Sequence, residues 1–240
     1  MVWQRSALVQ KNQVHLSKML ISYKAHLFIP SPPYAELKKK RNGKIMADTP
    51  PLQSILRARM KIVYRPLDIG NLAHFEQLKR LIDADLSEPY SIYVYRYFLN
   101  QWPDLTFLAF DADAIGEDGS GEDGIAGAVP IGCIVCKSEM HRSSRLRGYI
   151  GMLAVASAYR GHGIAKRLVQ ITLEKMAEMQ CDEVMLETEV SNVAALNLYE
   201  GMGFIRMKRM FRYYLNEGDA YKLILPLTER SCIRTTFLNQ

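Results

Sequence analysis

The 240-residue chain is poor in cysteine, and its four cysteines show no disulfide-framework spacing. A secreted, oxidised protein is thereby excluded, and a reducing, cytoplasmic setting is expected. Cys133 and Cys136 spell CxxC in IGCIVCK, but that run reads as a strand. Side chains three apart on a strand point to opposite faces, and no second CxxC or His pair completes a zinc site, so no metal is expected. No apolar run reaches the roughly eighteen residues a membrane span needs, so no membrane association is expected. Arg5 is followed by no continuous apolar core, so no secretory signal is visible. After residue 60 only three histidines occur, His74, His141 and His162, and no nucleophile-and-base motif accompanies them. The formal charge of +6 is not spread evenly. Residues 1–60 carry 11 Lys and Arg against 2 Asp and Glu, whereas the other 180 carry 20 against 23. The core therefore lacks the basic balance of a nucleic-acid-binding domain.

Three segments follow from the pattern. Residues 1–59 form a basic extension with the run KKKRNGK, two Pro-Pro pairs and no sustained period, which predicts little order. It reads as a disordered tail or upstream start, since Met60 opens the strand-like MKIVYRPL. It also reads as a polybasic arm for RNA or an acidic partner, or as an organellar presequence, since residues 1–35 are acid-free. Residues 60–228 hold the domain, and residues 229–240 a short tail. In the domain KIVY reads as a strand, and Asn71 to Ala84 as a helix with Leu72, Phe75, Leu78 and Leu81/Ile82 on one side. IYVYRYFL predicts a second helix ending near Trp102-Pro103. TFLAF, PIGCIVCK and RLRGYIGMLAV read as strands, Gly163 to Ala177 as an amphipathic helix, and EVMLETEV as another strand. SNVAALNLYEGM is a capped helix, and FIRMKRMFRYYL–NEGD–AYKLILPL a closing hairpin. The class is α/β (α+β), a mixed sheet flanked by helices. The loop DADAIGEDGSGE, Asp111 to Glu122, matches a calcium loop at positions one, three, six and twelve. Ile115 breaks position five, and the flanking runs read as strands where a calcium hand has helices, so a solvated acidic hairpin loop is expected.

In YRGHGIAKRL, Gly161 and Gly163 follow a strand and open a helix. Helix-start N–H groups are unpaired and carry partial positive charge, glycine admits close backbone approach, and Arg160 adds a bidentate cation. The pattern suits a pyrophosphate, although a Gly-rich turn can also serve packing alone. A P-loop is absent. A Rossmann turn lacks its third glycine, which would fall at Lys166, yet Glu187 lies near the place of a ribose-binding acid. That turn would also come late, after several antiparallel-looking elements. Arg160-Gly161-His162-Gly163-Ile164-Ala165 resembles the [RQ]xxGx[GA] motif of the GCN5-related N-acetyltransferase superfamily. LSEPYSIYVYRYF, RGYIGMLAV, CDEVMLETEVSNVAALNLYEGMGF and KRMFRYYLNEGDAYKLILPL together resemble the catalytic-subunit family of NatC N-terminal acetyltransferases. The likeness runs from about Met60 past Leu227 and omits the extension; the acidic loop is longer than the family pattern.

The resemblance implies a GNAT-type fold and acetyl transfer from acetyl-CoA to the α-amino group of nascent proteins beginning Met-Leu, Met-Ile, Met-Phe or Met-Trp. It also implies a large auxiliary subunit, a small Sm-like subunit and ribosome association. The chemistry asks for a base to take the amine proton and an acid to meet the thiolate, with no metal and no covalent enzyme intermediate. In VMLETEV, Val184, Leu186 and Thr188 share one strand face, and Glu187 and Glu189 the other. The resemblance puts the proposed general base at Glu187 and the proton donor at Tyr199. Asn192 shares a helix face with Tyr199. Cofactor contacts are implied for the Leu153, Ala154 and Val155 backbone, for Arg160 through Ala165, and for Lys166 and Asn192. Leu86, Glu88, Tyr90, Tyr149, Tyr213 and Tyr214 resemble the residues of the peptide groove. Tyr213 and Tyr214 alternate along the expected strand, so only one should face the groove fully. Alternatives stay open: a lysine or small-amine acetyltransferase, a non-catalytic CoA-binding subunit, or an NAD-binding oxidoreductase.

Overall fold

A computed structural model describes residues 60–86, 88–112, 128–142 and 144–232. Seven strands form one sheet in the order β1-β2-β3-β4-β5-β7-β6. They are β1 (Ile62–Pro66), β2 (Thr106–Asp111), β3 (Gly132–His141), β4 (Arg145–Val155), β5 (Glu183–Glu189), β6 (Ile205–Met210) and β7 (Ala220–Pro226). All neighbours run antiparallel except β4 and β5, which are parallel. That parallel step requires a crossover, and α3 (Ile164–Glu178) supplies it.

Period-two alternation decides which helices each strand face receives. Cys133 and Val135 of β3 point to one face, with Leu108 and Phe110 of β2. There they meet Leu78 and Ile82 of α1 (Leu72–Asp85) and Tyr95, Phe98 and Leu99 of α2 (Ile92–Gln101). Ile134 and Cys136 point the other way, onto Ile164, Leu168, Val169 and Met176 of α3 and Leu196 and Tyr199 of α4 (Val193–Glu200). The two CxxC sulfurs thus lie in opposite cores, as their spacing predicts. A four-residue helix, α5 (Glu229–Cys232), follows β7.

The local sequence explains the helix starts. The Asn71 side chain accepts the Ala73 and His74 N–H groups at 3.1 and 3.2 Å, and Asn192 accepts that of Ala195 at 3.0 Å. Each satisfies donors the helix leaves orphaned. Helices α2 and α3 lack such a bond: Ser91 caps α2 without one, and the cap of α3 is Gly163 at φ 80°, with no side chain bonding the first turn. Two expectations need correction. Leu72 is 76% exposed, because it occupies the first turn of α1, whose core contacts come from the buried Leu78 and Ile82 and the half-buried Phe75 and Leu81. The closing hairpin is also shorter than its pattern. Strand β6 stops at Met210, and residues 211–219 fold into a loop closed by Tyr213 and Tyr214 N–H groups on the Gly218 carbonyl. Asp219 fastens that loop through the Arg209 guanidinium and the Arg212 N–H.

A buried ion pair ties β4 to β5. The Glu183 carboxylate, 1% exposed, accepts Arg147 Nε and Nη2 at 2.7 and 2.5 Å, with Arg145 Nη1 at 3.6 Å. Removing one charge of a buried pair strands the other. Glu183→Gln should therefore lower unfolding stability by about 3 kcal/mol, checked by urea denaturation. Among the described residues no helix is long and apolar enough to cross a membrane. The acidic loop lies outside the described residues beyond Ala112; strands β2 and β3 flank it, as expected, where a calcium hand would need helices.

Candidate active site

The site begins with one extra residue. Val135 pairs with Met152 but Cys136 pairs with Ile150, so Gly151 bulges out of β4. A Cβ there would come within 2.9 Å of the Phe98 ring, which leaves room only for glycine. A bulge bends and twists its strand. The parallel pairing of β4 with β5 accordingly ends at Tyr149 and Met185, although both strands continue. The sheet is split from the bulge onward.

Two cavities flank the split. One, of about 240 Å³, is lined by Ile150 to Leu153 of β4 and Leu186 to Glu189 of β5, with Asp85, Leu86, Glu88, Tyr90, Asn192, Ala195, Tyr199 and Tyr214. The other, of about 420 Å³, has Tyr90, Tyr149, Met140, Met152, Met185 and Tyr213 among its walls. Tyr90, Gly151, Met152 and Glu187 belong to both. The bulge and one carboxylate therefore stand where the cavities meet.

Glu187 is 9% exposed, and Lys222, its cross-strand partner on β7, places Nζ 3.5 Å from Oε1. Tyr149 bonds the same carboxylate, and burial followed by the Glu187 charge pushes the Tyr149 phenol well above its usual pKa. That phenol stays protonated and can donate. Tyr199, 5% exposed, stacks edge-on against Phe204 and lines the smaller cavity. Burial also raises its pKa above the ordinary tyrosine value. The structure thus holds a carboxylate with open access from two sides and a phenol in the wall of one of them.

Other expected groove residues gather here. Glu88 Oε1 accepts the Leu215 N–H at 2.6 Å, joining the α1–α2 loop to loop 211–219 across the site. Tyr213 and Tyr214 do not alternate on a strand. Because they sit in the loop, both face the site, Tyr213 the larger cavity and Tyr214 the smaller.

The cofactor set divides. Gly161 and Gly163 both have φ 80°, and a Cβ at either would meet nothing within 4 Å, so the turn before α3 opens outward. With no side chain capping the first turn, its N–H groups are available to an anion, as a pyrophosphate requires. Lys166 is exposed beside it, and His162 Nδ1 lies 3.2 Å from the Tyr159 carbonyl. Ile164 is buried, so only its backbone can contribute, and Ala165 is half-buried. Leu153 lines the smaller cavity, while Ala154 turns into the α1–α2 core. The Val155 N–H is already taken, by Asp85 Oδ2 at 3.2 Å. Asp85 was not legible as a site residue; its one sequence signal was a carboxylate at the wrong end of a helix dipole. Also missed was Lys137, whose ammonium bonds Glu139 at 2.7 Å and lies 5.2–5.8 Å from the rings of Tyr97, Phe98, Trp102 and Tyr149, at a wall of the larger cavity.

A mixed sheet split at a bulge, with an uncapped glycine turn opening the crossover helix, defines an acyl-transferring class. The chain belongs to it: the acetyltransferase (GNAT) family model matches residues 75–204. The relatives are more specific. N-alpha-acetyltransferase 30 of Saccharomyces cerevisiae is 71% identical over 179 residues, covering 75% of this chain and 96% of that protein. The Homo sapiens N-alpha-acetyltransferase 30 is 52% identical over 150 residues, 62% of this chain and 37% of that protein. A chain in the crystal structure of the NatC complex bound to Gag peptide and CoA is 70% identical, with TM-score 0.63, covering 70% of this chain and all of that one. This protein is therefore a peptide α-N-acetyltransferase of the NatC type.

Proposed function

We propose that the protein transfers acetyl from acetyl-CoA to the α-amino group of proteins beginning Met-Leu, Met-Ile, Met-Phe or Met-Trp. The observation that carries this reading is the pair of cavities meeting at Gly151 and Glu187. One reactant can enter from each side, and the reacting atoms come together only at the carboxylate. The residues fit the cofactor: the open Gly161–Gly163 turn suits its diphosphate, and the unpaired β4 edge beyond Tyr149 suits its amide arm. When bound, that cofactor supplies an acetyl group activated as a thioester.

An α-amino group has a pKa of about 7.7–8.0, so most of it is protonated at neutral pH. Glu187 takes that proton, directly or through one water, and the Tyr149 hydroxyl holds the carboxylate in place. Tyr199 donates to the departing sulfur. In the larger cavity Met140, Met152 and Met185 give the substrate methionine and the residue after it an adaptable apolar wall. Tyr90 and Tyr213 add hydroxyls for the peptide backbone. Leu86 and Glu88, on the connection between α1 and α2, line the smaller cavity, with Glu88 toward the incoming amino terminus.

We further propose that the protein works in a NatC-type complex, with a large auxiliary subunit and a small Sm-like one, on nascent chains at cytoplasmic ribosomes, as the family resemblance of its sequence implies. Its domain spans 60–228, after a basic extension at 1–59 and before a tail at 229–240. A peptide panel tests the substrate class. Met-Leu, Met-Ile and Met-Phe peptides should exceed Met-Ala in kcat/KM by about 10–200-fold, the range for lost methylenes in an apolar pocket. Equal rates for an internal lysine peptide would favour the lysine-acetyltransferase alternative instead.

A further inference from the structure

We propose that Asp85 is a positioning residue for the cofactor diphosphate, acting through Arg160; the inference rests on the acetyl-CoA reading above. Asp85 is the last residue of α1, where the helix dipole disfavours a carboxylate. It is held there by two donors from the far end of the site. Oδ2 accepts the Val155 N–H at 3.2 Å, and Oδ1 accepts Nη2 of Arg160. Arg160 Nε in turn donates to the Val155 carbonyl at 3.1 Å. The guanidinium is thus fixed at two points, immediately before the open Gly161–Gly163 turn.

A guanidinium has five N–H donors in a rigid fork. These two contacts use two and leave three for an anion. The Arg160 side chain is still 56% exposed against 23% for Asp85, so the free part of the fork faces outward. Asp85 therefore does not block the diphosphate site. It removes the rotamer freedom that a long, exposed arginine would otherwise lose on binding, a cost that weakens association. Asp85 also lies in the walls of both the smaller cavity and a third one, of about 370 Å³, that contains Arg160. It stands between the thioester arm and the anion turn.

The test compares acetyl-CoA, which carries the diphosphate, with S-acetyl-pantetheine, which lacks it. CoA affinity is read by calorimetry and the two donors by kcat/KM, in the wild type, Asp85→Asn, Arg160→Gln and the double variant. Asparagine keeps the size of Asp85 and an oxygen for the Val155 N–H. We expect Asp85→Asn to weaken CoA binding about five- to tenfold. It should lower kcat/KM for S-acetyl-pantetheine by clearly less than that for acetyl-CoA and add nothing in the Arg160→Gln background. Equal losses with both donors would make Asp85 a support of β4 alone and overturn the proposal. Tighter CoA binding in Asp85→Asn would overturn it too, by showing competition for Arg160. A wild type that does not distinguish the two donors would instead bring down the diphosphate reading beneath it. Should Asp85→Asn fail to fold, Asp85→Glu carries the same comparison: it keeps the charge and should keep more of the donor discrimination than Arg160→Gln does.

Discussion

Glu187→Gln should reduce kcat by at least about 10²-fold while leaving the affinity for CoA and peptide nearly unchanged. General-base catalysis is worth about 10²–10⁴-fold, and glutamine removes the base without removing the shape. Its amide oxygen can still accept from the Tyr149 hydroxyl, so that bond and the meeting point of the two cavities survive. Lys222 loses the carboxylate 3.5 Å away, but at 34% exposure water can solvate it. The fold should tolerate the change. In both proteins kcat/KM should rise as the α-amino group loses its proton, near pH 7.7–8.0, with the variant's plateau lowered by that factor. A single-turnover assay on a Met-Leu peptide reads both. An unchanged kcat would remove Glu187 from the reaction and leave its burial to be explained by the Tyr149 and Lys222 contacts alone.

Much of this site was legible because its local parts have local signatures. Alternation in VMLETEV set Glu187 against Val184, Leu186 and Thr188, and burial follows that pattern. Asn192 stands at the start of α4 with Tyr199 two turns on, and both reach one cavity. Gly161 and Gly163 read as the turn between a strand and a helix that lets a ligand approach the backbone, and they stand directly before α3 with nothing within 4 Å of where a Cβ would lie. What escaped depends on pairing across distance. The Gly151 bulge exists only in the register of β3 with β4. Lys222 meets Glu187 only because β7 lies antiparallel to β5. Asp85 reaches Val155 and Arg160 across separations of 70 and 75 residues, which no window of sequence contains. The tyrosine pair failed for a different reason. FRYYL has strand composition, but Asp219 and Gly218 turn the chain back locally, and turn hydrogen bonds outweighed β-propensity.

Tyr199→Phe should cost about 10²-fold in kcat, the lower end for a general acid, and little in folding. The ring that packs on Phe204 is retained, and only the hydroxyl goes. The direction of its pKa sets a condition. Burial holds the phenol above its ordinary value near 10, so proton transfer to a thiolate of ordinary pKa, about 8.5, would run uphill. Such a thiolate, however, departs beside the buried Tyr199 side chain. There desolvation raises thiols as well: Cys133, buried in the neighbouring core, is pushed up to about 12. A leaving thiol partly desolvated there is shifted in the same sense as the acid, which lessens the uphill step. The wild type should therefore show no falling limb in kcat below about pH 10, because the protonated phenol persists there. A limb near pH 8–9 that disappears in Tyr199→Phe would mean the phenol ionises early and cannot hold its proton for the sulfur. Full activity in Tyr199→Phe would reduce this residue to packing, and the proton would then have to reach the sulfur from the amine by way of water.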